Sequence, residues 1–255
     1  MIEDLVIGMA GSGGDGIVSA GESLVSAAVA EGYYAIMTKS FGSQIRGGES
    51  SCRVRLSTSK VLSAGGVLNI AIALNWEDYN KFGAELPIDE ETLVIYEAAS
   101  QTPPDALPLA VKPGEAIAVP IAEIARPFGD KSKNMVVLGL IAGWTGIARE
   151  ALLHGIEKKL GRKGPAVLEP ARQAFFAGES FAREHPLAVD RTLSPAPQRE
   201  TPLLLGDGNE VCAAAALFAG CQFFGGYPIT PSSEIMHLLS REIWKFGGGF
   251  LQAED

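Results

Sequence analysis

Leu5-Val6-Ile7-Gly8-Met9-Ala10-Gly11-Ser12-Gly13-Gly14-Asp15-Gly16-Ile17 is the stretch that decides the fold of the first part of this 255-residue chain. The apolar run Leu5 to Ala10 reads as a buried strand. The turn after it has the G-x-G-x-x-G spacing, and a helix is predicted from Ile17 to Ala30, ended by Gly32. Glycines let a backbone turn sharply and approach an anion, and a helix N-terminus faces that anion with partial positive charge. Strand, glycine turn and helix together form the phosphate-binding arrangement of Rossmann-like folds. Two readings stay open. Gly11, Gly13, Gly14 and Gly16 contact a cofactor, or they only allow tight helix–strand packing.

The next strand, Tyr33 to Ser40, tests the nucleotide reading. A ribose-gripping acid is expected at its end, but Lys39 and Ser40 stand there, which argues against NAD. A loop with Arg46-Gly47-Gly48 follows. Arginine suits planar oxyanions, and the glycines let backbone come close, so these three residues join the candidate cofactor contacts. A surface or interface salt bridge is the other reading of Arg46. Cys52, Val54 and Leu56 alternate with Arg53, Arg55 and Ser57, the pattern of a strand with one polar face. Further strands are expected at 67–74, 92–96 and 116–120, and helices at 75–82, 121–125, 133–144, 150–160 and 170–181. Strands alternating with helices make residues 1–183 a doubly wound α/β domain. Residues 184–202, with His185-Pro186 and Ser194-Pro195-Ala196-Pro197, read as a semi-rigid linker. Residues 203–255 begin a second α/β domain, with a helix at 210–219.

A net charge of −9 argues against nucleic acid and against an anionic membrane surface as partners. Neither a signal segment nor an apolar run long enough to span a bilayer is visible. The three cysteines, Cys52, Cys212 and Cys221, share no metal spacing, so no metal site is expected in this chain and a cytoplasmic, reduced state is. Cys212 and Cys221 are expected as small core residues.

Tyr227-Pro228-Ile229-Thr230-Pro231-Ser232-Ser233-Glu234 is the second informative stretch. Each proline biases the residue before it toward extended backbone and leaves the loop little entropy to lose. Ser232 and Ser233 read as the cap and first turn of a helix covering Glu234 to Leu239. The Thr230 hydroxyl thus stands where a carboxylate or phosphate is favoured, although a plain proline-rich turn has the same signature.

The run Gly226 to Ser232 resembles the substrate loop of the thiamine-diphosphate-dependent 2-oxoacid:ferredoxin oxidoreductases. Gly208-Asn209-Glu210-Val211, Ala219-Gly220 and Leu251-Gln252-Ala253-Glu254-Asp255 agree with it. The glycine turn, Arg46-Gly47-Gly48-Glu49-Ser50, Val54-Arg55 and Lys133-Asn134-Met135 resemble the gamma domain of the same family, although glutamine often stands there at the place of Asp15. The resemblance implies a gamma domain fused to the start of the alpha subunit's pyrimidine-binding domain. It places Thr230, with Ile229 and Pro231, against the substrate carboxylate, and Glu254 against the aminopyrimidine of the cofactor as the catalytic carboxyl.

The implied activity is CoA-dependent oxidative decarboxylation of a 2-oxoacid, 2-oxoglutarate ahead of pyruvate, with electrons passed to ferredoxin. Thiamine diphosphate would be shared with a partner chain, and CoA would be a co-substrate. A beta subunit would carry Mg2+, the diphosphate site and an iron–sulfur cluster, so the hetero-oligomer works and this subunit alone does not. Gly206-Asp207-Gly208 resembles the start of a metal–diphosphate motif, but no later asparagine loop completes it. Asp207 is therefore expected as a turn residue or helix-start anion. Because the resembling domain runs beyond Asp255 in the family, the chain is expected to be a piece, or to have its remainder encoded separately. The alternative function is a non-catalytic CoA- or phosphate-binding or assembly module.

Overall fold

The computed structural model describes residues 1–42, 48–100, 111–201, 204–229 and 232–254. The chain divides into two units, Met1–Thr201 and Pro202–Asp255.

The first unit runs β1 (Asp4–Gly11), α1 (Ile17–Glu31), β2 (Tyr34–Phe41), β3 (Ser50–Ser57), β4 (Ile70–Ala73), α2 (Trp76–Lys81), β5 (Leu93–Glu97) and β6 (Glu115–Val119). Four helices complete it: α3 (Ile121–Ala125), α4 (Lys133–Thr145), α5 (Arg149–Leu160) and α6 (Pro165–Glu184). Its six-stranded sheet has the order β2-β3-β1-β4-β5-β6. β1, β4, β5 and β6 are parallel neighbours, while β3 runs antiparallel to both β1 and β2. The connection from β2 to β3 is too short for a crossover helix, so it closes as a hairpin and the sheet is mixed.

Alternation along β1 divides the core. Leu5, Ile7 and Met9 join the larger cluster with α1 and α4 to α6, while Val6 and Ala10 join Trp76, Tyr79, Phe82 and Leu86 on the opposite face. Both faces of the sheet are therefore covered, as a doubly wound α/β unit requires. Each fully buried Leu or Ile contributes about 1.5–3 kcal/mol. Helix α4 is buried almost all round, so it lacks the one-sided apolar stripe of a surface helix. It approaches α6 backbone to backbone: a Cβ on Gly139 would run into the Phe175 carbonyl, and one on Gly178 into the Val136 carbonyl.

Helix α6 begins at Pro165, five residues before the start expected from the sequence. Pro165 takes the first helical position, where its missing N–H costs nothing, and Pro170 is carried in the next turn at the loss of one backbone bond.

The expected linker is the larger correction, because residues 184–201 belong to the first unit as a strap. Ile2 N–H donates to Thr192 O (2.8 Å), Ser194 N–H to Ile2 O (2.7 Å) and Leu193 N–H to Thr145 O (2.8 Å). Tyr33 Oη donates to Ser194 O (2.8 Å), and the Leu193 side chain is only 5% exposed. Arg199 Nε donates to Gly32 O (2.7 Å), and its guanidinium lies 3.6 Å from the Tyr34 ring centre. Proline-rich composition set the stiffness of this segment, while long-range backbone bonds set its place.

The second unit holds α7 (Gly208–Phe218), β7 (Phe223–Gly226), α8 (Ser233–Glu242) and β8 (Gly249–Gln252). Its two strands are parallel, and its buried cluster is Ala213, Leu217, Leu239 and Ile243, flanked by the stacked rings of Phe224 and Phe250. Cys212 is exposed and Cys221 half-buried, against the expectation of core positions. The buried stripe of α7 passes through Ala213 and Leu217, one turn apart, and Cys212 lies off that stripe. Among the described residues, no helix is long and apolar enough to cross a membrane.

Candidate functional site

The two strands of the second unit bring Ile229 and Glu254 to one end. Gly226 pairs with Gln252 in the parallel register, so the chain leaves both strands in the same direction. Tyr227 to Ile229 emerge from one strand and Ala253-Glu254 from the other, and Ala253 N–H donates to Gly226 O (2.9 Å). Ile229 and Glu254 are both exposed there. Thr230 and Pro231 lie outside the described residues. This is the carboxyl end of the strands, where open α/β sheets receive ligands.

The expected cap of α8 does not form. Ser232 Oγ donates to Ile229 O (3.0 Å) instead of accepting a helix amide, which ties the helix start back to the proline loop. Asp207 does act at a helix start: its carboxylate accepts Asn209 N–H (2.9 Å) at the head of α7. Glu254 makes no side-chain hydrogen bond among the described residues, so its carboxylate is available to an aminopyrimidine nitrogen. Among the described residues, this end thus offers thiamine diphosphate one free carboxylate.

The glycine turn of the first unit sits where β1 and β4 are adjacent and α1 and α2 cover opposite faces, a topological switch point. Carboxylates already occupy it. Asp15 accepts Ser12 N–H (3.0 Å) and the Lys133 ammonium (3.0 Å). Asp78 accepts from Ser12 Oγ (2.6 Å) and Asn75 Nδ2 (2.5 Å). Burial works against the charge on Asp78, yet hydrogen bonds from Ser12, Asn75 and Lys81 together hold its pKa below the ordinary carboxylate value.

Gly16 is required where it stands. Its φ of 76° is left-handed, and a Cβ there would come within 2.5 Å of Asn134 Nδ2. Gly11 closes β1, Gly13 and Gly14 are exposed, and Gly48 is half-buried beside the hairpin's closing bond from Gly42 N–H to Glu49 O (2.9 Å). Arg46 and Gly47 lie outside the described residues. Lys39, which stands where a ribose-binding acid would be, pairs with Glu22 (3.0 Å).

Reading along the chain missed Asn75 and Asp78, although Asn75-Trp76-Glu77-Asp78 is a legible cap: Asn75 Oδ1 accepts Asp78 N–H (2.7 Å). It also missed Lys133 and Asn134 as neighbours of the turn, which no local pattern discloses. Among the described residues, no group of three His, Cys, Asp or Glu side chains is placed to hold a metal ion.

A family model described as pyruvate ferredoxin/flavodoxin oxidoreductase matches residues 6–181, and the thiamine-diphosphate-binding model of the same enzymes matches 214–255. The 2-oxoglutarate synthase subunit KorA of Methanocaldococcus jannaschii is 56% identical over 48 residues, 19% of this chain and 13% of that protein. The 2-oxoglutarate oxidoreductase subunit KorA of Mycobacterium tuberculosis is 26% identical, covering 100% of this chain and 43% of its own length. A solved 2-oxoglutarate:ferredoxin oxidoreductase from Magnetococcus marinus, with 2-oxoglutarate, coenzyme A and succinyl-CoA bound, superposes with a TM-score of 0.85. It is 30% identical over 100% of this chain and 44% of its own. The chain thus spans less than half the length of these relatives. Its matched segments, its mixed sheet and its paired strand ends agree: the chain belongs to the 2-oxoacid:ferredoxin oxidoreductase family.

Proposed function

We propose that this chain works within a CoA-dependent 2-oxoacid:ferredoxin oxidoreductase, with 2-oxoglutarate as the preferred acid. The observation that carries the reading is the likeness of the whole chain to an oxidoreductase solved with 2-oxoglutarate and CoA bound. The 2-oxoglutarate preference draws on the same structure and on the KorA relatives. Residues 1–183 act as the gamma domain and 203–255 as the start of the pyrimidine-binding domain.

In this reading, Thr230, flanked by Ile229 and Pro231, orients the substrate carboxylate. Glu254 holds a proton against the aminopyrimidine. Bound thiamine diphosphate supplies the nucleophile and electron sink for decarboxylation. A partner beta subunit brings Mg2+, the diphosphate site and an iron–sulfur cluster, and electrons leave to ferredoxin from a cytoplasmic complex.

Gly11, Gly13, Gly14, Gly16, Arg46, Gly47 and Gly48 serve CoA. With Asp15 already on the Ser12 amide, an incoming phosphate must displace a carboxylate. Asp15→Asn is therefore expected to tighten CoA, measured by calorimetry.

The test of the whole reading is CoA-dependent viologen reduction by the purified complex, with 2-oxoglutarate, pyruvate and 2-oxoisovalerate compared. Glu254→Gln is expected to cut turnover by about 10²–10⁴-fold, the usual worth of a positioned acid–base group. Near-normal turnover in that variant sinks the assignment. A higher kcat/KM for pyruvate removes the substrate preference and leaves the rest.

A further inference from the structure

A cavity of about 560 Å³ opens directly off the glycine turn: Gly14 and Gly16 line one side of it, and residues of α1, α4, α5 and α6 line the rest. That volume lies within the range of small-molecule sites, about 300–1,000 Å³. Met135, Ile156 and Val167 make its wall largely apolar. Lys131, Lys159 and Lys163 line it too, and all three are exposed. Lys159 is held by Glu22 (3.0 Å), whereas Lys131 and Lys163 make no ion pair among the described residues.

Asn134, 7% exposed, lines the cavity from the N-terminal turn of α4. Its amide packs on the turn itself, since a Cβ on Gly16 would come within 2.5 Å of Asn134 Nδ2. Its Oδ1 is buried and accepts no hydrogen bond among the described residues. A buried acceptor without a donor costs about 1–3 kcal/mol, and its complement is an N–H or O–H, not an anion. The complement of the two unpaired ammonium groups is the anion.

One end of CoA carries all three complements. The faces of its adenine ring are apolar, the exocyclic amino group of the ring donates hydrogen bonds, and the ribose 3′-phosphate carries about −1.5 to −2 charges at neutral pH. The other end, the pantetheine arm, finishes in an uncharged thiol and gives the lysines nothing to hold. We propose that the cavity takes the adenosine 3′-phosphate end of CoA, and that Lys131 and Lys163 select CoA over its 3′-dephospho form. The adenine lies on Met135, Ile156 and Val167, its amino group donates to Asn134 Oδ1, and the 3′-phosphate meets the two ammonium groups. This placement rests on the reading that the glycine turn serves CoA.

CoA and dephospho-CoA, titrated calorimetrically into the full chain, make the test. CoA is expected to bind at least about tenfold more tightly, with the gap narrowing as salt is raised. Because Lys131 and Lys163 are exposed, the double variant Lys131→Ala/Lys163→Ala keeps the fold. It is expected to weaken CoA about tenfold and to leave dephospho-CoA within about twofold of its unmodified affinity. Lys158→Ala/Arg162→Ala removes the same charge at exposed positions that do not line the cavity, and is expected to leave the ratio of the two affinities unchanged. Deamino-CoA, with a carbonyl in place of the amino group, is expected to bind about tenfold more weakly than CoA.

Equal affinity of CoA and dephospho-CoA for the unmodified chain, or equal weakening of both in the Lys131→Ala/Lys163→Ala variant, overturns the proposal and leaves CoA on the turn. Deamino-CoA binding as well as CoA overturns the placement of the base. Binding of neither CoA nor dephospho-CoA overturns the CoA reading of the turn itself, and this proposal with it.

Discussion

The two units differ in how much of their own surface they bury. The first covers both faces of a six-stranded sheet, with Leu5, Ile7, Ile70, Ile72, Leu93 and Ile95 fully buried. Among the described residues the second buries only Ala213, Leu217, Met236, Leu239 and Ile243, while Phe218 is 86% exposed, Phe223 64% and Trp244 58%. The fold is secured in one unit, and the candidate catalytic carboxyl, Glu254, lies in the other. A unit of that size with so few buried residues sits near the limit of independent folding, since its buried apolar area hardly offsets the chain entropy it must lose.

The largest expected effect tests that contrast directly. Residues 1–201 expressed alone should unfold in one cooperative thermal transition, and residues 202–255 alone should show no cooperative transition by circular dichroism. A sharp transition in the short piece would break the comparison.

Paired glycine substitutions come next. Gly178→Ala forces a Cβ against the Val136 carbonyl in the α4–α6 contact and should cost about 1–3 kcal/mol. Gly208→Ala, with nothing within 4 Å of the added atom, should leave the melting temperature of the chain nearly unchanged. Equal shifts would mean that the packing difference between the units is not energetic.

Thiol chemistry sharpens the contrast further. Cys52 is buried, and its pKa is pushed up to about 12 by that burial and by the Glu22 carboxylate. Cys212 is exposed. In a time course with a thiol-directed dye, Cys212 should label at once and Cys52 only on unfolding.

Asp78 gives the smallest effect. Its folded pKa lies below the unfolded value, so the stabilisation it contributes is present above an ordinary carboxylate pKa and is lost as pH falls through the folded one. Asp78→Asn should therefore lower stability at neutral pH, change it little at strongly acid pH, and so flatten the acid limb of the stability curve. An unchanged acid limb would remove Asp78 from the network.

Much of this was legible along the chain. The apolar run at β1, the glycine spacing and Gly32 define β1 and α1 to within a residue or two. The alternation at Cys52, Val54 and Leu56 marks the buried face of β3. Local patterns failed where partners are distant. The strap at 184–201 reads as a linker by composition, because nothing near Leu193 announces that Thr145 will bond it and Ile2 its two neighbours. Cys212 reads as a core residue because its surroundings are apolar, but helical phase sets its exposure.

The same division holds for the candidate sites. Thr230 and the glycine turn were legible from proline stiffness and motif spacing, which are properties of neighbours, while Glu254 was named only by the family resemblance of its stretch. Only tertiary structure brought Glu254 and the Tyr227–Ile229 segment to one strand end and placed Asp15 and Asp78 on the glycine turn. Those outcomes depend on strand register and helix packing between residues far apart in the chain, which no local pattern encodes.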